Sequence, residues 1–361
     1  MRYFGKKSNK FANFAGKTPY NGKPKRIGIL SAGGDCPGIN AAIRGVGKTA
    51  ISHYGMEVIG FSSGFSGLIN NEYVELSEVN LSGILTLGGT ILGTSREKPF
   101  KKSKDQESDK PELIKKNYKD LKLDCVVCIG GNGTQKTASM LSDIGLNIVG
   151  IPKTIDNDVW GTDFTFGFDS AVNIATEAID RLHSTANSHQ RIMVIELMGH
   201  TAGWLTLFSG MAGGGDVILI PELSFDTKEM NRYLMTRFTK KKPYSIVVVA
   251  EGIPFPKEFR SASDFICYSI ESETKLEARK TVLGYVQRGG SPSPMDRILA
   301  TRFGAKASQL ISEDDYGKMV ATKGGNTISV PLKEVSGKLN LVPTNYSLIQ
   351  KARELDIYIG G

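Results

Sequence analysis

The stretch RIGILSAGGDCPGINAAIRGVGKTA, residues 26–50, decides the fold. Its first five residues, RIGIL (26–30), predict a buried strand, and SAGGDCPG (31–38) follows as a glycine-rich turn. From Ile39 onward, apolar residues recur at spacings of three and four, which predicts a helix with one buried face. A strand, a glycine turn and a helix in this order form the opening unit of an α/β fold.

The same alternation continues along the chain. Further short apolar segments are predicted as strands: EVIGF (57–61), CVVCI (125–129), NIVGI (147–151), RIMVIEL (191–197), DVILI (216–220) and SIVVVA (245–250). Strands that are apolar throughout are typical of a parallel sheet covered on both faces. We therefore predict an α/β protein with doubly wound, mostly parallel sheets in two domains, and an active site in the cleft between them.

Composition limits the classes of protein that remain. The chain has 361 residues, of which 40% are hydrophobic and 23% charged, which is typical of a globular protein. It has no run of about 18 apolar residues, so we predict no membrane span. The net charge is +8, and residues 1–26 alone hold eight Lys and Arg without an acidic residue. We interpret 1–25 as a solvated basic arm that packs on a neighbouring subunit, with a transit peptide or a polyanion-binding tail as alternatives. We expect no nucleic-acid partner.

The four cysteines are too few for a disulfide scaffold. Cys125 and Cys128 form a C-x-x-C pair, but they lie inside a predicted apolar strand, which favours burial over a redox or zinc site. These features predict a reducing compartment, and we expect a cytoplasmic protein.

Glycine-rich segments are predicted anion-binding turns because their main-chain N–H groups can approach a phosphate closely. The segments are SAGGD (31–35), GGTILGTSREKPF (88–100) and GGNGT (130–134). GVGKT (45–49) looks like part of a P-loop, but the motif needs glycine where Ala42 stands and its residues fall inside the predicted helix. We exclude a P-loop.

PKTIDND (152–158) is the most informative segment. Asp156 and Asp158 stand two residues apart after a strand, so an extended backbone would turn both to one site. One carboxylate would then accept a hydroxyl proton while the other holds Mg²⁺, as phosphoryl transfer requires. The alternative is an Asx turn that merely closes a loop.

Cations and one carboxylate at the predicted strand ends suit a sugar phosphate. They are Arg191, His200, Glu251, Arg279 and Arg288. Each of them singly is equally explained by a surface ion pair.

Taken together, the motifs resemble the 6-phosphofructokinase family from about Pro24 to beyond residue 305. The matching blocks are SAGGDCPGINAAIRG (31–45), GGTILGTSR (88–96), GGNGT (130–134), PKTIDND (152–158), SHQRI (188–192), MGHTAG (198–203), AEG (250–252) and TVLGYVQRGGSPSPMDRILA (281–300). The resemblance implies Mg²⁺-dependent phosphoryl transfer to the 1-hydroxyl of fructose 6-phosphate, giving fructose 1,6-bisphosphate in glycolysis. It also implies a donor-binding domain over 26–167, completed by part of 285–361, and a sugar-phosphate domain over 168–284.

Roles follow from the same resemblance. Asp156 would be the catalytic base, with Thr154 and Arg191 also catalytic, and Asp158 and Asn132 would hold the metal. The implied donor site comprises Gly34, Arg96, Gly131, Asn132, Gly133, Thr134 and Lys153. The implied acceptor site comprises Thr154, Asp156, Arg191, Met198, Gly199, His200, Glu251, Arg279, Tyr285 and Arg288. Arg191 and Arg279 match arginines that the family supplies from a neighbouring subunit, which implies a homodimer or homotetramer with shared active sites.

Three positions, two of which depart from the pattern of ATP-dependent members, indicate which phosphoryl donor the protein uses. Asn132 replaces the aspartate usual in ATP-dependent members, and Lys153 resembles pyrophosphate-dependent members. Gly133 leaves room for a nucleotide, whereas pyrophosphate enzymes typically carry aspartate there, so we predict ATP as donor and pyrophosphate as the alternative. A catalytically silent sugar-phosphate-binding subunit is a third hypothesis. A nicotinamide-dependent dehydrogenase is excluded because no G-x-G-x-x-G follows the first strand.

Overall fold

The protein contains two mainly parallel β-sheets. The structure is a computed structural model that describes residues 24–101 and 109–361. The first sheet contains β1 (Arg26–Ala32), β2 (Glu57–Phe61), β3 (Tyr73–Glu75), β4 (Cys125–Gly130), β5 (Ile148–Thr154), β6 (Phe166–Gly167), β11 (Lys318–Lys323) and β12 (Asn326–Pro331). The second sheet contains β7 (Ile192–Leu197), β8 (Val217–Leu219), β9 (Ser245–Ala250) and β10 (Ala278–Val282).

The helices connect these strands and cover the sheets. They are α1 (Ile39–Tyr54), α2 (Phe65–Asn70), α3 (Lys110–Asp120), α4 (Asn132–Asp143), α5 (Phe168–His189), α6 (Trp204–Ala212), α7 (Thr227–Thr239), α8 (Ala262–Thr274), α9 (Pro294–Ser312), α10 (Leu332–Val335) and α11 (Ser347–Glu354). Short 3₁₀ helices span Ile84–Thr86 and Gly284–Arg288. Within the described ranges, none of the helices is both long and apolar enough to cross a bilayer.

Strand order places a switch point at the centre of the first sheet. The order is β12-β11-β5-β4-β1-β2-β3, with β6 beside β5, and only the edge strands β3 and β12 run antiparallel. The second sheet, β10-β7-β9-β8, is parallel throughout. The predicted α/β class with mostly parallel sheets is confirmed. The chain leaves β1 towards β2 on one side and returns to β4 on the other, and ligands in such sheets bind beyond the carboxyl ends at that point.

Continuous apolar patterns located the buried strands correctly. In β4, Cys125 and Cys128 are fully buried and unpaired, as predicted for a strand interior. The pattern missed β3 and β10 because most of their side chains are exposed. It also missed the hairpin β11–β12, which adds residues far along the chain to the first sheet.

Helix α9 returns from the second sheet to pack on α1. A Cβ atom at Gly45 would lie 2.9 Å from the Thr301 carbonyl oxygen, and one at Gly304 would lie 2.5 Å from the Val46 nitrogen. Two glycines therefore permit the close approach of these helices. Gly45 is also the first residue of GVGKT (45–49), which lies inside α1 and is not a phosphate loop.

Residues 1–23 of the basic arm lie outside the described residues. Lys25, which sequence analysis assigned to the solvated arm, is 9% exposed, so the expectation is wrong at this residue. Its Nζ donates to the carbonyl oxygen of Ile311 and to Asp314 Oδ1 (2.7 Å). The Ile311 carbonyl also accepts from the Asp314 N–H (3.2 Å), so the lysine adds a charged donor at the negative end of α9.

Candidate active site

A cavity of about 520 Å³ opens at the carboxyl ends of β1, β4 and β5. It lies at the switch point of the first sheet, where the glycine-rich turns meet. Twelve residues predicted from sequence line it: Gly34, Arg96, Gly131, Asn132, Gly133, Thr134, Lys153, Thr154, Asp156, Asp158, His200 and Arg288. The cavity therefore brings the predicted donor and metal residues together with Thr154 and Asp156 and with two further acceptor residues, His200 and Arg288, but the third predicted catalytic residue, Arg191, does not line it.

The two aspartates reach the cavity through a turn rather than an extended strand. β5 ends at Thr154, and Asn157 adopts a left-handed conformation with φ 52°. The Asn157 side chain makes this turn stable: Oδ1 accepts from Thr165 N (2.9 Å) and Nδ2 donates to the Asp163 carbonyl (3.1 Å). Asparagine tolerates this conformation better than most residues. The predicted extended conformation is therefore wrong, although Asp156 and Asp158 do face one site.

Within the turn, Thr154 and Asp156 are bonded to each other. Thr154 Oγ1 donates to Asp156 Oδ2 (3.1 Å) and accepts from the Asp156 N–H (3.1 Å). The other carboxylate oxygen of Asp156, Oδ1, is buried without a hydrogen-bond partner among the described residues. Among the described residues, the carboxylate therefore has one oxygen with unused capacity to accept a hydrogen bond.

Asp158 is 6% exposed, and the pKa of its carboxyl group differs from the ordinary value. Burial, and secondarily the charge of Asp156, raise the pKa of Asp158 to about 6. Two close carboxylates in a poorly hydrated site favour the protonated form of one of them. A bound cation would reverse this effect.

The residues present fit a magnesium ion. In the described part of the chain, His, Cys, Asp and Glu form no group of three or more that could hold a metal. Mg²⁺ needs only one or two protein carboxylates when phosphate oxygens supply the other ligands. Asn132 Oδ1 is buried and lacks a partner among these residues, as does Asp156 Oδ1, and both line the cavity with Asp158.

The amino end of α4 forms an anion-binding edge of the cavity. Gly131 caps the helix with its backbone and offers no side-chain cap, and the first intrahelical bond runs from Gln135 N to Gly131 O (3.0 Å). The N–H groups of Asn132, Gly133 and Thr134 therefore precede the intrahelical ladder and meet the positive end of the helix dipole. This arrangement suits a phosphate group.

Three cations, one of them buried, also line the cavity. Lys153 is 3% exposed, and its Nζ donates to the Gly34 carbonyl oxygen. Burial lowers the pKa of Lys153. Arg288 donates through Nη1 to the Asp35 carbonyl (3.1 Å), and its Nε is buried without a partner among the described residues. Arg96 is exposed at the rim. These charges favour an anionic ligand.

The acceptor side is built by the turns that follow β7 and β9. Glu251 Oε1 accepts from the His200 N–H (2.9 Å), so this carboxylate holds the turn that carries His200. Gly199 has φ 146°, and a Cβ atom there would lie 2.6 Å from the Ala202 carbonyl oxygen. Met198, Gly199 and Glu251 are not among the cavity-lining residues.

Three predicted acceptor residues lie away from this cavity. Arg191 forms an ion pair with Glu277, and Arg279 pairs with Glu277 and Glu271. Tyr285 is 76% exposed. The single chain therefore does not bring these side chains to the catalytic turn.

Sequence reasoning missed the apolar wall of the cavity and one of its supports. Phe65, Phe100 and Met140 line the donor side. Asn40, at the start of α1, donates to the carbonyls of Leu87 and Gly88 and fixes the loop before Arg96. Phe100 and Asn40 lie within quoted blocks and Phe65 and Met140 lie outside them, but apolar and amide side chains at these positions carried no chemical signal.

Comparisons with known proteins agree with this geometry. The family model described as Phosphofructokinase matches residues 26–311. The chain is 60% identical to an ATP-dependent 6-phosphofructokinase 3 of Bacteroides thetaiotaomicron, over 93% of this chain and 100% of that protein. It is 54% identical to an ATP-dependent 6-phosphofructokinase of Spirochaeta thermophila, over 93% of this chain and 98% of that protein. The Pichia pastoris phosphofructokinase structure in the T-state matches with TM-score 0.80 and 31% identity, over 92% of this chain but only 39% of that longer chain.

Proposed function

The chain belongs to the phosphofructokinase family, and from this premise we propose that it transfers the terminal phosphoryl group of ATP to fructose 6-phosphate. The product is fructose 1,6-bisphosphate, and the reaction is a step of glycolysis. One observation carries the proposal: the anion-binding end of α4 and the turn with Asp156 and Asp158 share one cavity. Phosphoryl transfer needs little beyond positioned phosphates, a metal site and a base.

We assign the chemical roles from the contacts in the turn. Asp156 accepts the proton of the attacking 1-hydroxyl through its unpaired Oδ1, while Thr154 holds Oδ2 and so fixes the carboxylate. Asp158 and Asn132 Oδ1 are the groups that would hold Mg²⁺, which when bound offsets the charge of the phosphates. Lys153 and the α4 N–H groups stabilise the negative charge of the transferring group.

ATP is the donor that the cavity supports best. A Cβ atom at Gly133 would meet nothing within 4 Å, so space continues past the phosphate edge along α4. The wall beyond contains Phe65, Phe100 and Met140, an apolar surface that suits a nucleotide base. Pyrophosphate, the alternative donor suggested by Lys153, has no group to fill this part of the cavity. The donor site also includes Gly34, Arg96, Gly131 and Thr134.

We propose that His200 and Arg288 bind the sugar phosphate from this chain, supported by the Met198–Gly199 turn and Glu251. Arg191, Arg279 and Tyr285 complete the same site in a neighbouring subunit. Their positions support this arrangement, because none of the three lines the cavity formed by the described residues of its own chain.

An exposed apolar surface supports a homodimer or homotetramer. Val282, Tyr285, Val286, Met295 and Ile298 are each more than half exposed and lie on consecutive elements, β10, the 3₁₀ helix and α9. An apolar surface beside Arg279 suits a second copy of the chain.

We propose the same boundaries for the domains as the sequence suggested. Residues 26–167 form the donor domain with part of 285–361, supported by the joining of β11 and β12 to its sheet. Residues 168–284 form the sugar-phosphate domain around the second sheet. A cytoplasmic location is supported by four unpaired cysteines.

The test measures fructose 1,6-bisphosphate formation from fructose 6-phosphate and Mg²⁺, with ATP and pyrophosphate in parallel. We expect turnover with ATP and none above background with pyrophosphate. Turnover with pyrophosphate alone would reassign the donor and give Lys153 the deciding role. Activity with neither, but retained binding of fructose 6-phosphate, would support the silent sugar-phosphate-binding subunit instead.

A further inference from the structure

A segment near the carboxyl end crosses from the turn that carries Asp156, Asn157 and Asp158, which we call the catalytic turn, to the start of α6. We call residues 338–342 the strap. It lies beyond the stretch 26–311 that the family model matches. Asn340, at its centre, bonds a residue 183 positions earlier in the chain. The strap therefore joins the two parts of the active site through long-range contacts.

Asn340 uses three of its polar groups for this connection. Its N–H donates to the Asp158 carbonyl (2.9 Å), and its Nδ2 donates to the Asn157 carbonyl (3.0 Å). Its own carbonyl oxygen accepts from Trp204 Nε1 (2.8 Å). One residue thus holds two consecutive peptide groups of the catalytic turn and the first residue of α6.

Contacts on both sides of Asn340 hold the strap in place. Leu339 pairs with Val159 as an antiparallel bridge, and Lys338 Nζ lies 5.6 Å from the centre of the Trp160 ring. At the other end, the Val342 N–H donates to Glu222 Oε1 (2.9 Å). Glu222 also accepts from the N–H of Gly203, immediately before α6.

The carbonyls that Asn340 bonds belong to the two residues at the bend of the turn, Asn157 and Asp158. Asn157 is in the left-handed region, and its carbonyl and that of Asp158 point away from the strand ladder to Asn340. The Asp158 carbonyl accepts a second bond from Asn132 Nδ2 (3.2 Å). Rotation of this peptide group would redirect the Asp158 carboxylate, so these bonds fix its direction.

We propose that Asn340 is a positioning residue that fixes the catalytic turn relative to the acceptor turn at 198–203. Asn340 does not line the cavity, so it would act through its bonds to Asp158 and Trp204. The inference rests on the proposed function, since it concerns the geometry of the same phosphoryl transfer. Misplacement of reacting groups by about 1 Å costs on the order of 100-fold in rate.

The test compares Asn340→Ala, the isosteric Asn340→Asp and Trp204→Phe with the wild type. Asn340→Asp keeps the side-chain volume but loses the Nδ2 donor, and Trp204→Phe removes the indole N–H donor while keeping a ring. Asn345→Ala, at an exposed position five residues later, is the matched control. For both Asn340 variants we expect kcat to fall about 10- to 100-fold, with the KM for fructose 6-phosphate changed by less than about threefold. Trp204→Phe should move kcat in the same direction by less, and the acid limb of the pH profile should shift in the Asn340 variants.

Fluorescence gives a readout independent of activity. The chain has two tryptophans, Trp160 and Trp204, and both contact the strap. In a Trp160→Phe background, Asn340→Ala should shift the Trp204 emission, and unchanged emission would contradict the link. Variants with normal kcat and pH profile but a lower melting temperature would show that the strap is only structural and would overturn the inference. A wild type without turnover would overturn the proposed function, and the inference with it.

Discussion

The side-chain nitrogen of Asn132, Nδ2, donates to the main-chain oxygen of Asp158 at 3.2 Å. This bond joins the start of α4 to the turn that carries Asp156 and Asp158. Asn132 Oδ1 is buried with no partner among the described residues. An aspartate could not donate this bond and would place a second carboxylate near Asp158. The replacement of a family aspartate by Asn132 is therefore compatible with an active site.

Asn132→Asp should change both the pH dependence and the metal requirement. A new carboxylate near Asp158 raises the pKa of Asp158 further by like-charge repulsion. We expect the acid limb of kcat/KM to move to higher pH, and the half-saturating Mg²⁺ concentration at about pH 8 to fall because oxygen ligands gain charge. Titrations of rate against pH and Mg²⁺ measure both effects, with Asn345→Asp as control. Unchanged profiles would show that residue 132 is remote from the metal.

Asp156→Asn should abolish turnover while substrate still binds. Loss of a general base lowers kcat by about 10²- to 10⁴-fold, whereas the amide keeps the shape of the side chain and a contact for Thr154. Calorimetric titration with fructose 6-phosphate measures binding, and a coupled assay measures kcat. Asp180→Asn, an exposed substitution on α5, is the control. A rate near that of the wild type would exclude Asp156 as the base.

Asp158→Asn should stabilise the protein while it removes activity. The folded pKa, about 6, lies above the ordinary value of 3.8, so the native carboxylate binds a proton that the unfolded chain has already lost between these pH values. Stability therefore falls as pH rises through this window, and above it the native state holds a buried charge.

A neutral amide avoids this cost, so we expect a gain on the order of 2 kcal/mol at about pH 8 and a smaller gain at about pH 5. Denaturant unfolding of the metal-free protein at the two pH values measures the difference, with Asp180→Asn as control. Equal stability of wild type and Asp158→Asn at the higher pH would contradict the assigned burial cost.

Gly133→Asp should weaken ATP binding, whereas Gly133→Ala should not. A methyl group at this position meets no atom within 4 Å, so the alanine variant is a matched control for loss of glycine. An aspartate near the helix start is tolerated by the fold, but it projects charge and volume towards the donor phosphates. We expect the KM for ATP to rise about tenfold or more, or about 1.4 kcal/mol, with the KM for fructose 6-phosphate unchanged. Equal KM values for ATP in both variants would remove Gly133 from the donor site.

Two inactive variants that each lack a different residue of the shared site should recover activity when they form a mixed oligomer. If each site takes Asp156 from one chain and Arg279 from its neighbour, a mixed dimer of Asp156→Asn and Arg279→Ala subunits has one intact site of two. We expect recovery of about a quarter to a half of the wild-type rate, depending on the size of the oligomer. The chains are co-expressed with different tags and purified through both. Mixed oligomers that stay as inactive as each parent would show that every site is built from one chain.

Local patterns in the sequence were sufficient to predict the main helices and strands of the fold. β1, its glycine turn and α1 were predictable because strand burial, turn geometry and helix periodicity are each set by neighbouring residues. The convergence of Lys153, Asp156 and the GGNGT turn was also predictable, because parallel strands bring their carboxyl ends to one edge of a sheet.

Contacts between distant residues decided the rest. The left-handed turn at Asn157 depends on Thr165 and Asn340, and the burial of Lys25 depends on the end of α9. The exclusion of Arg191 and Arg279 from the cavity depends on how β7 and β10 lie in the second sheet. The sequence alone determined which chemical groups the chain offers and which of them follow a strand, because residue type and local pattern define both. Only the tertiary structure decided their directions and supports, because these come from hydrogen bonds between distant segments, such as the bond from Arg288 to Asp35, which are 253 residues apart.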